Sequence, residues 1–174
     1  MALGLVSWLD AIIPWIKNKP MSQSLANVLV HAVWSTKDRF AFLTDRPLRD
    51  ELHRYLGGIS ARLACSTLAV GGVADHVHVL ARLSRTIAAA EWVKEMKRAS
   101  SIWLARQAPR MSLLAKFHWQ AGYGLFSVSE SKAGAVRVYI TQQEAHHAKM
   151  GFQDEYRRFL RAHRLEWDEN HVWG

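Results

Sequence analysis

Two histidines flank a single valine in residues 74–80 (ADHVHVL), inside an otherwise apolar stretch. Side chains alternate between the two faces of a β-strand, so His76 and His78 would project from the same face. Two neighbouring imidazoles on a rigid strand provide half of a divalent-metal site. Asp75 is placed to cap the preceding turn or to orient one of these ligands. The alternative is a buried, hydrogen-bonded pair that holds no metal.

A tyrosine and a glutamine form the second candidate pair. Tyr139 and Gln143 are four residues apart in a segment with helical periodicity, which would place them on one helix face. A tyrosine hydroxyl has a pKa of about 10 and attacks poorly at neutral pH unless a metal polarises its electrophile. With the amide oxygen of Gln143 as a third ligand, an open site of this kind suits Mg²⁺ or Mn²⁺. The alternative is a tyrosine packed against a sheet with a hydrated hydroxyl.

Two more histidines follow in the same segment. His147 is four residues beyond Gln143, so it is either a metal ligand or a group that orients one. His146 is predicted to lie at a solvated, basic helix end, where an imidazolium suits the helix dipole.

The bulk composition describes one basic domain. The chain has 174 residues and a formal net charge of +8, which favours a polyanionic partner, with nucleic acid first and an anionic membrane surface second. Cys65 is the only cysteine, so the chain has no internal disulfide. That usage predicts a reducing compartment and therefore a cytoplasmic protein.

Basic side chains near the predicted strands and helices are candidate contacts to a nucleic-acid backbone. They are Lys37, Arg39, Lys94, Lys97 and Arg98. Solvated surface charges are the alternative for each of them. Residues 119–126 (WQAGYGLF) combine aromatic residues with glycines and would stack bases if exposed. Phe126 is predicted to lie in the core, and Trp119 and Tyr123 are left open.

The chain begins with an apolar segment that differs from the rest. Residues 1–20 are too short to span a bilayer and lack the features of a secretory signal. We interpret residues 1–20 as an upstream extension or peripheral helix and residues 21–174 as the catalytic domain. No membrane-spanning segment is predicted.

The predicted elements alternate as β-α-β-β-α-β-α-α. Strands are predicted at 27–35, 66–73, 76–83 and 117–129, and helices at 45–56, 86–107, 133–150 and 154–163. This order predicts an α+β fold of the ferredoxin-like or RRM-like type, an antiparallel sheet covered by helices on one face. The helix that carries Tyr139 is an addition after the last strand.

Taken together, these motifs resemble a known family, the single-tyrosine HUH transposases. This family moves insertion sequences as single-stranded DNA and includes the repeat-associated tyrosine transposases. Its His-hydrophobic-His motif is matched by His76-Val77-His78, and its nucleophile helix by residues 139–147 (YITQQEAHH). Residues 29–37 (LVHAVWSTK) and 119–129 (WQAGYGLFSVS) also match, and the resemblance extends from about residue 21 to about residue 167.

The resemblance implies a reaction and its partners. Tyr139 would attack a DNA phosphodiester to form a 5′-phosphotyrosine and a free 3′-hydroxyl, beside a metal held by His76, His78 and Gln143. Reverse attack by a 3′-hydroxyl would rejoin the strands without a nucleotide energy source. The substrates would be hairpins in single-stranded DNA. The protein would be a homodimer in which the tyrosine helix acts either in its own subunit or in the partner.

Two other functions are open from the sequence. The first is a non-catalytic or domesticated hairpin-binding protein of the same fold. The second is a basic ferredoxin-like RNA-binding protein, which needs exposed aromatic residues on an open sheet face.

Overall fold

The computed structural model describes residues 24–173, so the extension predicted at residues 1–20 lies outside the described part of the chain. The strands are β1 (Leu29–Ser35), β2 (Ser66–Gly72), β3 (His76–Arg82) and β4 (Gly124–Val128). The helices are α1 (Arg46–Arg62), α2 (Ala89–Ala105), α3 (Glu130–Thr141), α4 (Gln143–His147) and α5 (Phe152–Ala162). Two short 3₁₀ turns are formed by Lys37–Arg39 and Ser112–Lys116.

The four strands form one sheet in the order β2-β3-β1-β4, and every neighbouring pair is antiparallel. This is the ferredoxin-like arrangement, so the predicted fold class is confirmed. β3 carries the histidine pair and is hydrogen-bonded on both sides, to β1 and to β2. The histidines therefore lie on an interior strand, which is a rigid support for ligands.

The first sheet face packs on α1 and α2. Alternate residues of β1 and β3 point into this core, which lies around Trp34, Val77 and Val79. Ser100 is a polar residue at an otherwise apolar position of α2, and its hydroxyl accepts a hydrogen bond from the indole of Trp119 at 2.9 Å. Trp119 is therefore part of this core.

The second sheet face is also covered, which corrects the expectation of helices on one face. It carries the imidazole pair together with Val33 and Leu80. α3 packs on β2 and β3 through Ile140, and α5 packs through Phe152 and other aromatic side chains. Apolar side chains on both sheet faces require a covering layer on each, and the helices after β4 supply the second.

Several element boundaries differ from those predicted. α1 begins at a cap in which Asp45 accepts a hydrogen bond from the Leu48 amide at 2.8 Å, as its sequence indicates. α2 begins at Ala89 and not at Thr86, because the Thr86 hydroxyl pairs with that of Ser84 instead of capping the helix. The strand predicted at 117–129 is reduced to β4 and an isolated bridge between Trp119 and Thr36.

Candidate metal and tyrosine site

β3 presents both histidines of the sequence motif to the second sheet face, where each is fully buried. Nδ1 of His76 lies 2.7 Å from Oδ1 of Asp75. Burial opposes ionisation of Asp75, but the hydrogen bond from His76 and the nearby imidazoles hold the pKa of this carboxyl below its usual value. An ionised carboxylate only accepts, so Nδ1 of His76 donates to it and Nε2 is directed away from Asp75. Asp75 therefore orients His76 in the manner typical of metal-binding histidines.

A third histidine, His31 on β1, orients His78. Nε2 of His31 lies 2.9 Å from Nδ1 of His78, and the two rings stack. Burial, followed by the charge of His163, lowers the pKa of His31 to about 4, and burial also lowers the pKa of His78 well below its usual value. Both rings are therefore neutral at pH 7, and Nε2 of His78 faces the covering helices. The sequence analysis missed His31, although this histidine alternates with apolar core residues along β1.

Tyr139 and Gln143 do not lie on one continuous helix, which corrects the helix predicted at 133–150. α3 ends at Thr141, and Gln142 leaves the helical conformation with φ −105° and ψ 21°. The Thr141 hydroxyl donates to the Val138 carbonyl at 2.9 Å, and such bonds from a side chain to a preceding carbonyl bend helices. Across this break the side-chain amide nitrogen (Nε2) of Gln143 still lies 3.5 Å from the backbone carbonyl oxygen of Tyr139. The two residues therefore stay close to each other.

Two imidazoles meet the amide oxygen of Gln143. Oε1 of Gln143 lies 2.9 Å from Nε2 of His147 and 3.4 Å from Nε2 of His76. Nδ1 of His147 lies 2.8 Å from the Met150 carbonyl, which can only accept, so Nδ1 carries the proton. Burial, followed by the charge of His76, lowers the pKa of His147 to about 4 and keeps that ring neutral at pH 7.

Three polar atoms therefore face one another, namely Nε2 of His76, Nε2 of His147 and Oε1 of Gln143. Nε2 of His147 and Oε1 of Gln143 are acceptors with no proton of their own. The other amide atom of Gln143 has its own acceptor, since Nε2 donates to Oε1 of Glu155 at 3.3 Å. That bond fixes the direction of the amide oxygen. A positive charge is the simplest partner for these two acceptors.

Glu155 on α5 completes the cluster, and the sequence analysis missed it. Its Oε2 atom lies 3.5 Å from Nε2 of His78 and 3.3 Å from Nε2 of His147. Its Oε1 atom accepts a hydrogen bond from the hydroxyl of Tyr139. Burial, followed by the charge of Asp75, raises the pKa of Glu155 to about 8. A pKa of about 8 leaves this carboxyl group largely protonated at pH 7 when no cation is bound, and a bound cation would favour its ionised form. One buried carboxyl group therefore contacts both the tyrosine and the imidazoles.

The signal for Glu155 was present in the helical pattern of α5. Phe152, Tyr156 and Phe159 recur at helical spacing and form the face that packs on the sheet. Glu155 lies three residues after Phe152 and therefore on the same face. A glutamate within an apolar stripe is rarely buried without a partner, and this exception marks a site.

The residues present fit a divalent cation. Ligand atoms of His76, His78, His147 and Glu155 all lie within 4.8 Å of one another. Nε2 of His78 and Oε2 of Glu155 are buried and have no hydrogen-bond partner. Buried polar atoms without partners are costly, and a cation between them would remove that cost.

His146 lies in the last turn of its helix, as predicted, but it is only partly exposed to solvent. Its ring lies 5.1 Å from the ring of Tyr139, and its Nε2 atom lies 3.4 Å from Oε1 of Glu155. The reason is that α5 folds back across this end of α4 and brings Glu155 next to it. His146 is therefore a half-buried neighbour of the tyrosine.

The five candidate DNA-contacting residues lie outside this cluster. The ammonium of Lys97 donates to the carbonyls of Gln120, Ala121 and Gly122 at 2.6, 3.0 and 2.9 Å, and burial lowers the pKa of Lys97 to about 8. Lys97 thus holds the loop before β4, which also explains why this loop is not a strand. Lys94 and Arg98 are exposed and form ion pairs with Glu91 and Glu95 on their own helix.

Lys37 and Arg39 lie in the 3₁₀ turn after β1. Lys37 lines a groove that reaches exposed His118, and His118 also borders the groove lined by Lys94, Lys97 and Arg98. The two basic segments therefore adjoin on one side of the molecule. Phe126 is buried, as predicted, whereas Tyr123 lies in the second groove with 38% of its surface exposed.

Gly71 allows the helix that carries the tyrosine to approach the sheet. It is the β2 partner of His78, and a Cβ atom added to it would overlap the backbone carbonyl of Ile140, next to Tyr139. We expect Gly71→Ala to displace α3 and with it Tyr139, because the added methyl group overlaps the Ile140 carbonyl. Unfolding in urea is expected to show a free energy of unfolding that is lower by about 1–3 kcal/mol.

Gly134→Ala is the matched control on the same helix, where an added Cβ meets nothing within 4 Å. We expect this variant to gain up to about 1 kcal/mol in the free energy of unfolding. Equal free energies of unfolding for both variants would show that the close approach at Gly71 does not hold α3 on the sheet.

An antiparallel ferredoxin-like sheet with a buried imidazole pair beneath a helix-borne tyrosine defines the class of this protein, an α+β protein with a candidate metal-and-tyrosine site. The family model described as Transposase IS200 like matches residues 24–143. The chain belongs to this family and is a DNA transposase. The match ends at Gln143, so His147 and Glu155 lie beyond it.

Individual relatives agree with this assignment. The chain is 27% identical over 115 residues to the ISDra2 transposase TnpA of Deinococcus radiodurans. These matched residues cover 65% of this chain and 81% of that protein. A crystal structure described as a Deinococcus radiodurans transposase superposes with a TM-score of 0.56 at 24% identity, covering 70% of this chain and 95% of that one. A REP-associated tyrosine transposase bound to a REP hairpin gives a TM-score of 0.50 at 12% identity, covering 78% and 75%. These two structures support the fold.

Among residues 24–173 we find no helix with the length and apolar character that a bilayer crossing requires.

Proposed function

We propose that this transposase cleaves and rejoins single-stranded DNA through a 5′-phosphotyrosine on Tyr139, beside Mg²⁺ or Mn²⁺ held by His76, His78 and Gln143. One observation carries the proposal. The buried carboxylate of Glu155 accepts the hydrogen bond of the Tyr139 hydroxyl and also lies 3.5 Å from Nε2 of His78. The candidate nucleophile and the candidate ligands therefore share one location within a single chain.

The proposed reaction is a transesterification. The Tyr139 oxygen forms a bond to the phosphorus of the scissile phosphodiester, and the bond from phosphorus to the 3′-oxygen breaks. The tyrosine proton is balanced by the proton that the departing 3′-oxygen takes up. Attack by a 3′-hydroxyl on the phosphotyrosine reverses these changes and rejoins the strand. A divalent ion bound at the site would offset the negative charge that develops on the phosphate.

The chain's own groups prepare the tyrosine for this reaction. Glu155 holds the hydroxyl, and the rings of His78 and His146 pack edge-on against the Tyr139 ring. These contacts fix the direction of the phenol before DNA binds, which lowers the entropic cost of a productive approach.

The proposed substrate is a DNA hairpin with a single-stranded flank. Support comes from the solved REP-associated transposase, which is bound to a REP hairpin, and from the basic surface of this chain. Lys37, Arg39, Lys94 and Arg98 would contact phosphates, and the charge on Lys97 would add to their field while it holds its loop. Tyr139 lies beside the histidines of its own chain, which favours action within one subunit. The homodimer and the cytoplasmic location stay predictions.

The test uses the full chain with hairpin oligonucleotides that carry single-stranded flanks, in Mg²⁺ or Mn²⁺. We expect a covalent protein–DNA adduct under denaturing conditions that retains a 3′-label and releases a 5′-labelled fragment with a free 3′-hydroxyl. EDTA is expected to abolish the adduct. Retention of the 5′-label on the protein instead would contradict the proposed polarity.

The same experiment separates the alternative functions. Tight binding of the DNA hairpin with no adduct under any metal would favour the non-catalytic hairpin-binding protein. Preference for RNA hairpins without an adduct would favour the RNA-binding protein. The structure weighs against the latter, because α3 and α5 cover the sheet face on which such proteins stack bases.

A further inference from the structure

We infer that the segment beyond the family match adds two metal ligands, His147 and Glu155, to the pair on β3. This inference rests on the proposed function only in placing the ion next to the nucleophile. It concerns residues outside the matched range 24–143, in α4 and α5. The resulting centre would have three imidazole nitrogens, one carboxylate oxygen and the amide oxygen of Gln143.

The first support is the direction of the three imidazoles. His76 directs Nδ1 at Asp75, His78 directs Nδ1 at His31, and His147 directs Nδ1 at the Met150 carbonyl. In each ring Nδ1 is engaged outside the cluster and Nε2 points into it. A shared use of Nδ1 as the anchor is typical of histidines whose Nε2 atoms bind a metal.

The second support is the carboxylate itself. Glu155 is only 2% exposed, and its Oε2 atom has no hydrogen-bond partner although two imidazole nitrogens lie within 3.5 Å. Its Oε1 atom is already occupied by the hydroxyl of Tyr139 and the amide of Gln143. The free oxygen is therefore the one that faces His78 and His147. Glu155 would bind the ion through Oε2 and hold the nucleophile through Oε1.

The donor set has a consequence for metal choice. Imidazole nitrogens favour transition metals over Mg²⁺, which prefers oxygen ligands and retains its waters. A centre with three imidazoles and one carboxylate should therefore bind Mn²⁺ more tightly than Mg²⁺. A centre with only two imidazoles and an amide would discriminate less.

The test measures Mn²⁺ binding to the full chain without DNA, by calorimetry and by the electron paramagnetic resonance spectrum of the bound ion. We expect Glu155→Gln to weaken Mn²⁺ binding by at least about 10- to 100-fold, since loss of groups that only orient ligands already costs that much. We expect a similar loss for His147→Gln. Asp154→Asn is the matched control, because Asp154 is the exposed neighbour on the same helix and pairs only with Arg157. It should bind Mn²⁺ like the original chain.

Thermal unfolding without metal is measured first, to show that each variant is folded. If Glu155→Gln does not fold, the Mn²⁺ affinity of His147→Gln tests the inference. Mn²⁺ affinity unchanged by both substitutions would overturn the inference, even if hairpin DNA still forms an adduct. Mn²⁺ affinity reduced by either substitution would support it, even if no DNA adduct is ever observed. The Mn²⁺-binding measurement thus tests this inference, and the adduct measurement tests the proposed function, each independently of the other.

Discussion

Tyr139→Phe is expected to eliminate the covalent protein–DNA adduct, with a loss of at least about 10⁴-fold in the rate of strand cleavage. Removal of a nucleophile leaves no group that can form the phosphoester bond, so the effect resembles that in other enzymes with covalent intermediates. The phenylalanine ring keeps the contacts of Tyr139 with His31, His78 and Phe159. The variant should therefore remain folded and bind hairpin DNA, as a filter-binding or anisotropy titration would show.

Tyr156→Phe is the matched control for this substitution. Tyr156 is a buried phenol on α5, and burial raises its pKa to about 12, so it is a poorer nucleophile than an ordinary tyrosine. We expect this variant to form the adduct at the original rate. An adduct that persists in Tyr139→Phe and disappears in Tyr156→Phe would transfer the nucleophile assignment to α5.

His78→Ala is expected to lower the rate of adduct formation by about 10³-fold at a fixed Mn²⁺ concentration. The proposed ion offsets charge in the transition state by several kcal/mol, and each 1.4 kcal/mol corresponds to about a factor of ten. His78 is fully buried on an interior strand of the sheet. Single-turnover cleavage of a labelled hairpin over a range of Mn²⁺ concentrations measures this loss.

The loss must be separated from a loss of folding, since the substitution also removes a buried ring. His78→Leu fills more of the space without offering a ligand atom, and it is expected to lose cleavage to a similar degree while it unfolds closer to the original chain. His171→Ala removes an exposed imidazole that contacts only Asp168, and it should cleave normally. Full cleavage activity in folded His78→Leu would exclude His78 as a ligand.

The sequence predicted the fold class because its local patterns were consistent with one another. Period-two alternation placed His76 and His78 opposite Val77 and Val79, and the structure shows this arrangement. The cap at Asp45 was equally local. One prediction failed because a tertiary contact overrides propensity, at the Lys97 ammonium that holds the loop before β4. Another failed because of a competing local contact, at the Thr86 hydroxyl that pairs with that of Ser84.

Only part of the candidate site could be predicted from the sequence. Spacing related Tyr139 to Gln143 and His76 to His78, because each pair lies within one local segment. Nothing local relates His31 to His78 or Glu155 to Tyr139, since these contacts depend on strand register and on the return of α5 over the sheet. A polar residue inside an apolar stripe was the one available sign, and it marked both missed residues.

Because side chains alternate along β3, one strand register determines which residues lie on each of its two faces. A shift of one residue would bring Val77 and Val79 to the helix-covered side and force two imidazoles into the hydrocarbon interior beside Trp34. A change of register therefore cannot remove the candidate ligands from the helix-covered side without disrupting the core beside Trp34. Substitution of His76 or His78 removes a candidate ligand and leaves the register unchanged.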